Sequence, residues 1–316
     1  MRKNLSFVVL AAVLLTSGCN KYGIDSNSAE GSNFRIYLSG VETKTVNDGL
    51  STKWENGDRL MVYHAVAGTT EYVKDGNGRY DISDAEKGEA TPITSPSLSE
   101  GNYDWYVYYR WASANTVTKS QAQILSQAPG ASLLQIGNSS TEHLAGLMFP
   151  VYGIAKNVPS SENPTVKMKH IATVFEFKVT SSLPQIQIKK IVLTAPASAS
   201  IVGSFYINYS SDTPVLTPNT IMVGNEAALE VDNADFISSG NNASFYLGTA
   251  PFALNTGEEI DITVTAYDGE NDGTQTFHYT ATSDIEFKSG KIRPIELTIS
   301  ELTPIPEEDP DSGMMD

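Results

Sequence analysis

Apolar and polar residues alternate with a period of two along most of this chain. Phe34, Ile36 and Leu38 share one face of a short run, the pattern of a half-buried strand. Arg59 to His64 continues as a strand after the turn Glu55-Asn56-Gly57-Asp58. Tyr103, Trp105, Val107, Tyr109 and Trp111 line one face of an aromatic strand, and Tyr106 and Tyr108 lie on the other. Val166 to Val179 reads as one long apolar strand. Ile186 to Leu193 shifts phase at Lys189-Lys190, as a β-bulge requires. Further runs cover Ile201 to Tyr209, Phe245 to Leu247, Ile260 to Ala266, Thr276 to Thr280 and Ile295 to Ile299. Helical periodicity is confined to Lys119 to Leu125, read as a short helix bounded by Pro129-Gly130.

Strands recurring every dozen or so residues without intervening helices predict antiparallel β-sandwiches rather than a parallel α/β sheet. The best break is Val158-Pro159-Ser160-Ser161-Glu162-Asn163-Pro164, because its prolines cannot donate to a ladder and its polar residues have nothing to bury. Two domains are therefore expected, at residues 33–160 and 163–303. Residues 20–32, rich in Ser, Asn and Gly, read as a flexible tether. The acidic, proline-bearing stretch 304–316 reads as a disordered tail.

The amino terminus changes the picture. Arg2 and Lys3 precede an apolar run from Leu5 to Leu15, too short for a permanent membrane span. Thr16-Ser17-Gly18 then leads to Cys19, the single cysteine of the chain. This is a signal-peptide layout that resembles a relaxed lipobox, with Thr16 where leucine is usual. Residues 1–19 are read as a lipoprotein signal ending at a lipidated Cys19, which places the protein at the outer membrane. The formal net charge of −16 disfavours nucleic acid and basic-patch membrane binding.

Candidate chemistry is sparse. The four histidines, His64, His143, His170 and His278, lie in separate segments without metal spacing. The chain has no nucleophile elbow and no phosphate loop. Asp268-Gly269-Glu270-Asn271-Asp272-Gly273 matches half of a calcium loop. Its twelfth position, however, is Tyr279 rather than a bidentate acid, so a hairpin turn is the better reading. No catalytic residue, metal or cofactor is expected. Trp105, Tyr106 and Tyr108 are the candidate ligand-facing aromatics, because sugar rings stack on exposed side chains of this type. Packing within a sheet is the readier account of them, since aromatics are favoured in strands for packing alone.

Several of these pieces resemble one family. Thr43-Lys44-Thr45, followed by Trp54-Glu55-Asn56-Gly57-Asp58-Arg59-Leu60, is similar to the opening of fimbrillin-like proteins, the type V pilins of Bacteroidales. So are Met168 to Phe177, Ile188 to Leu193 with Ile201-Val202-Gly203, and Phe277 to Ile299 with its turn Lys288-Ser289-Gly290-Lys291. The resemblance implies two tandem transthyretin-like β-sandwich domains and a lipidated precursor cut after Arg or Lys. It also implies loss of the first strand and insertion of a strand from another pilin subunit. Arg35 and Lys44 are the candidate cleavage positions, and Ile292 to Ile299 is either a donor strand or the last core strand of its own domain. The leading expectation is a structural or adhesive fimbrial subunit, tip or accessory, meeting a host or bacterial surface ligand. The alternative is a monomeric, lipid-anchored surface glycan-binding protein.

Overall fold

The alternating runs do become strands, and they sort into two cores. The computed structural model describes residues 34–39, 54–109, 119–124 (backbone only), 130–144, 150–208 and 215–305. Cys19, the tether 20–32, Lys44, Trp111 and residues 306–316 lie outside them. The described chain is all-β, in several sheets, with no α-helix and a 3-10 turn at Glu142–Leu144.

The first core is a barrel. Its strands are β1 (Ile36–Ser39), β2 (Arg59–Val66), β3 (Arg79–Asp84), β4 (Glu89–Pro92), β5 (Asn102–Tyr109), β8 (Val151–Pro159) and β9 (Thr165–His170). They run in the order β1-β4-β3-β2-β5-β8-β9 and close on themselves, because β1 pairs antiparallel with β4 and parallel with β9. Ile36, Leu60, Val62, Ile82, Trp105, Val107, Val166 and Met168 fill the interior. On β2 and β5 the alternate residues Met61, Tyr63, Ala65, Tyr106 and Tyr108 join the second core instead. Both faces of these strands are therefore covered, and their sequences read as nearly continuous apolar runs.

The second core is layered from several sheets. One is β16 (Asn242–Thr249), β10 (Thr173–Ser181) and β21 (Ile292–Ile299). A larger one runs from β22 (Thr303–Pro304) through β19 (Asp272–Thr280), β18 (Glu259–Tyr267), β11 (Gln185–Thr194) and β14 (Glu226–Asp232) to β7 (Ser132–Ile136), with β15 (Ile237–Ser238) also on β11. The remaining sheets are β13 (Val215–Gly224), β12 (Val202–Asn208) and β6 (Lys119–Ile124), then β17 (Phe252–Leu254) with β20 (Ile285–Phe287). Phe175, Phe252 and Phe287 meet in the middle, the last two rings stacked at 4.5 Å. The bulge foreseen at Lys189-Lys190 appears as a register shift between Ile188 and Lys190 against β18.

Three expectations are corrected. Lys119 to Leu125 is not a helix: residues 119–124 form β6, paired with β12 from Lys119↔Asn208 to Ile124↔Gly203. A helix of this length is hard to nucleate, whereas the β12 ladder supplies backbone partners directly. The proline-rich stretch near residue 160 does not separate two domains. It is the turn between β8 and β9, which pair within the barrel, and Glu162 N donates to Pro159 O at 2.9 Å.

The single long strand Val166 to Val179 is two strands in different sheets. The chain leaves the barrel between β9 and β10, at Ile171-Ala172, where neither glycine nor proline marks the passage. β6 and β7, before the barrel is complete in sequence, already pair with strands of the second core. The boundaries expected at 160 and 163 are thus replaced by an interleaved arrangement.

Candidate functional site

The barrel is closed by four residues. Ile36 and Leu38 point into its interior and are 0% and 6% exposed, as the alternation predicts. Burying each stabilises the strand by about 1.5–3 kcal/mol. Phe34, one step ahead on the same face, stacks on Trp105 at 5.0 Å between ring centres. Leu38 N donates to Gly88 O at 2.7 Å on one side, and Tyr37 N donates to Pro164 O at 3.0 Å on the other. β1 is a closing stave. Without it, β4 and β9 become facing edges beside an apolar groove.

Arg35 is part of this closure. Its amide donates to Asn163 Oδ1 at 3.0 Å, and its guanidinium Nη1 pairs with the buried carboxylate of Glu89. Ser83 Oγ lies 3.3 Å from the same carboxylate oxygen. A cut after Arg35 leaves β1 on the long fragment, still clamped between β4 and β9. A cut there would therefore not free β1, in contrast to the sequence expectation. A cut after Lys44 would put β1 on the short fragment, and Lys44 itself lies outside the described residues. Gly88 and Glu89 were missed by sequence reasoning. Glu86-Lys87-Gly88-Glu89 signals a turn, but nothing local ties it to Arg35 and Leu38 some fifty residues away.

The candidate ligand-facing aromatics are packed inside the protein. Trp105, Tyr106 and Tyr108 are 1%, 2% and 3% exposed, so none offers a ring face to a ligand. Trp105 lies between Phe34 and His64. The Tyr106 hydroxyl accepts from Lys156 Nζ at 3.0 Å, and its ring meets Tyr72 edge-on at 5.1 Å. Burial alone raises the phenol of Tyr108 and keeps it protonated. The sheet needs these rings as filling between two cores, and that role consumes both faces of β5.

The remaining candidates are structural in their contacts. His64 Nε2 lies 2.6 Å from Asp75 Oδ2, both largely buried. His278 Nδ1 lies 2.7 Å from Asp261 Oδ1 at the surface. Burial drives His170 down to about 4, so it is neutral at pH 7. The half calcium loop is the β18–β19 hairpin turn: Asp268 Oδ1 accepts the Asn271 and Glu270 amides at 2.8 Å each. Those backbone donors hold its carboxyl below the usual range. Among the described residues no three His, Cys, Asp or Glu side chains gather to hold a metal, and no helix is long and apolar enough to cross a membrane.

The C-terminal strand is occupied within its own chain. β21 pairs in parallel with β10 over eight positions, from Ile292↔Val174 to Ile299↔Ser181. Leu297 and Ile299 are buried in the second core.

No family model matches the chain, and no curated protein does. Among solved structures, a candidate cell adhesion protein of Bacteroides uniformis is similar in fold, with 15% identity and a TM-score of 0.52. The match covers 85% of this chain and 92% of that one. A second candidate cell adhesion protein, of Bacteroides ovatus, has 15% identity and a TM-score of 0.50 over 87% of this chain and 98% of its own. At such identity the likeness establishes a shared all-β architecture over nearly the full length of both.

Proposed function

We propose that this protein is an adhesive or structural subunit of a cell-surface fimbria, with no catalysis, assembled by β-strand exchange through the barrel. The precursor is tethered to the outer membrane by lipid on Cys19. Cleavage after Lys44 releases β1, and a strand of another subunit fills the space between β4 and β9. The observation that carries this reading is the double pairing of β1: four residues close the barrel from both sides. An inserted strand would restore ladder hydrogen bonds on two edges and bury an apolar face at once. The fimbrillin-like sequence elements and the likeness in fold to two candidate adhesion proteins support the same reading. The pairing of β21 with β10 supports a subunit that accepts a strand rather than donating this one, as a tip or accessory subunit would.

The test is to treat the lipid-free chain with a limiting Lys-specific protease and identify the cut by mass spectrometry. A peptide of residues 34–44 is then added. The expected outcome is a cut after Lys44, loss of the short fragment, a fall in melting temperature, and its recovery with the peptide. A fragment that never dissociates, or a cleaved protein that unfolds and ignores the peptide, would remove the mechanism.

A further inference from the structure

A cleft of about 620 Å³ opens where β9 passes the turn between β20 and β21. Lys169 of β9 and Lys288 and Lys291 of the turn line it, and Glu286 is the one acid among the described lining residues. Lys288 Nζ is 3.2 Å from Glu286. Lys169 and Lys291 have no carboxylate within ion-pairing distance among the described residues. Such convergence is unexpected in a chain with 21 Lys and Arg against 37 Asp and Glu. A concave surface concentrates the field of such charges.

The turn that presents the lysines is held rigidly. Gly290 N donates to Ala172 O at 2.8 Å, and Val174 N donates to Lys291 O at 2.9 Å. Thr173 Oγ1 lies 2.9 Å from Lys288 O and 3.1 Å from Phe287 O. Gly290 has φ +67, and a Cβ there would come 3.4 Å from His170 O, so the turn sits flush on the end of β9. His170 is neutral at pH 7, which leaves three lysines against the one carboxylate of Glu286 to set the charge of the cleft.

Leu216 and Pro251 also line a second, adjoining hollow of about 290 Å³. That hollow carries Ser198, Ser200 and Asn255 together with one acid, Glu258, whose carboxylate accepts from Ser198 Oγ at 3.4 Å and from Asn255 Nδ2 at 3.1 Å. The two adjoining hollows make a trough with a cationic end, an apolar step, and an end whose hydroxyls surround the single carboxylate of Glu258, an acceptor for the hydroxyls of an uncharged ring. The combined size suits a ligand of two rings.

We propose that this trough binds an acidic saccharide, its carboxylate or sulfate group among Lys169, Lys288 and Lys291 and its neighbouring neutral ring beyond Leu216 and Pro251. The choice of a sugar rests on the adhesive reading above. The charge pattern specifies the acid group and its position.

The test is calorimetric titration of the uncleaved, lipid-free chain. The probes are a uronic acid–hexose disaccharide, a sulfated hexose disaccharide, the matching neutral disaccharide, and inorganic sulfate. One or both acidic disaccharides are expected to bind, weakening as salt rises, while the neutral one and sulfate bind far less. The double variant Lys169→Ala/Lys291→Ala should lose roughly ten-fold or more in affinity with its melting temperature unchanged, because both side chains are exposed. Equal binding of the neutral sugar, equal binding of sulfate alone, binding unaltered in the double variant, or no binding by any probe would each overturn the proposal. The strand-release assay does not involve the trough. Peptide uptake without sugar binding would therefore reject this inference alone.

Discussion

Leu38 donates its backbone N–H to the carbonyl of Gly88 at 2.7 Å, and Gly88 is the residue that lets the two segments come so close. It has φ +63, and a Cβ on it would sit 2.4 Å from Leu38 O. The pairing of β1 with β4 thus depends on a missing side chain.

Gly88→Ala should therefore loosen β1. The left-handed backbone alone costs about 1–3 kcal/mol for a non-glycine residue, and the clash with Leu38 adds to it. Cleavage after Lys44 by a Lys-specific protease should be markedly faster in the variant, followed by mass spectrometry of the released fragment. An unchanged cleavage rate would mean that β1 is not held through this contact.

Trp105→Ala should cost about 3–5 kcal/mol in urea unfolding, the usual range for deleting a buried large aromatic side chain. Tyr106→Phe should cost about 1 kcal/mol, since it removes only the hydroxyl bonded to Lys156. A stable, well-folded Trp105→Ala variant would contradict the packing described for β5.

His170 makes stability depend on pH. Burial lowers it to about 4 in the folded protein, against about 6.5 when exposed. Between these values the unfolded chain takes up a proton that the folded chain refuses. The stability it confers is complete above pH 6.5 and is lost as pH drops through this window, the loss reaching about 3 kcal/mol by pH 4. Lys169, Lys288, Lys291 and Glu286 line the same cleft. His170→Gln should flatten the dependence of unfolding free energy on pH from 6.5 to 4 relative to the parent; parallel profiles would contradict the assignment.

Cys19→Ala should move the protein from the membrane fraction to the soluble fraction of cells expressing the full chain. Continued membrane association of the variant would reject lipidation at this residue.

The strands were legible wherever one face is apolar and the next residue is not, as at Phe34, Ile36 and Leu38. The bulge at Lys189-Lys190 was legible for the same reason, since one extra residue inverts the phase of everything after it. The segment 119–124 was not, because its few residues satisfy a helical spacing as readily as an extended one. What settled it is β12, some eighty residues later.

The sequence by itself determined an all-β chain, the turn chemistry at Asp268 and an exported amino terminus as an expectation. Each rests on neighbours along the chain. Only the tertiary structure decided that Pro159 to Pro164 is a turn inside one barrel, that Val166 to Val179 divides between two cores, and that both faces of β5 are buried. It alone brings Arg35 to Glu89, Leu38 to Gly88, and Lys169 to the Lys288–Lys291 turn. Alternation tells which residues seek burial and strand propensity tells which segments extend. Neither says which edge a strand will meet, because that choice is made by backbone groups that every residue carries alike.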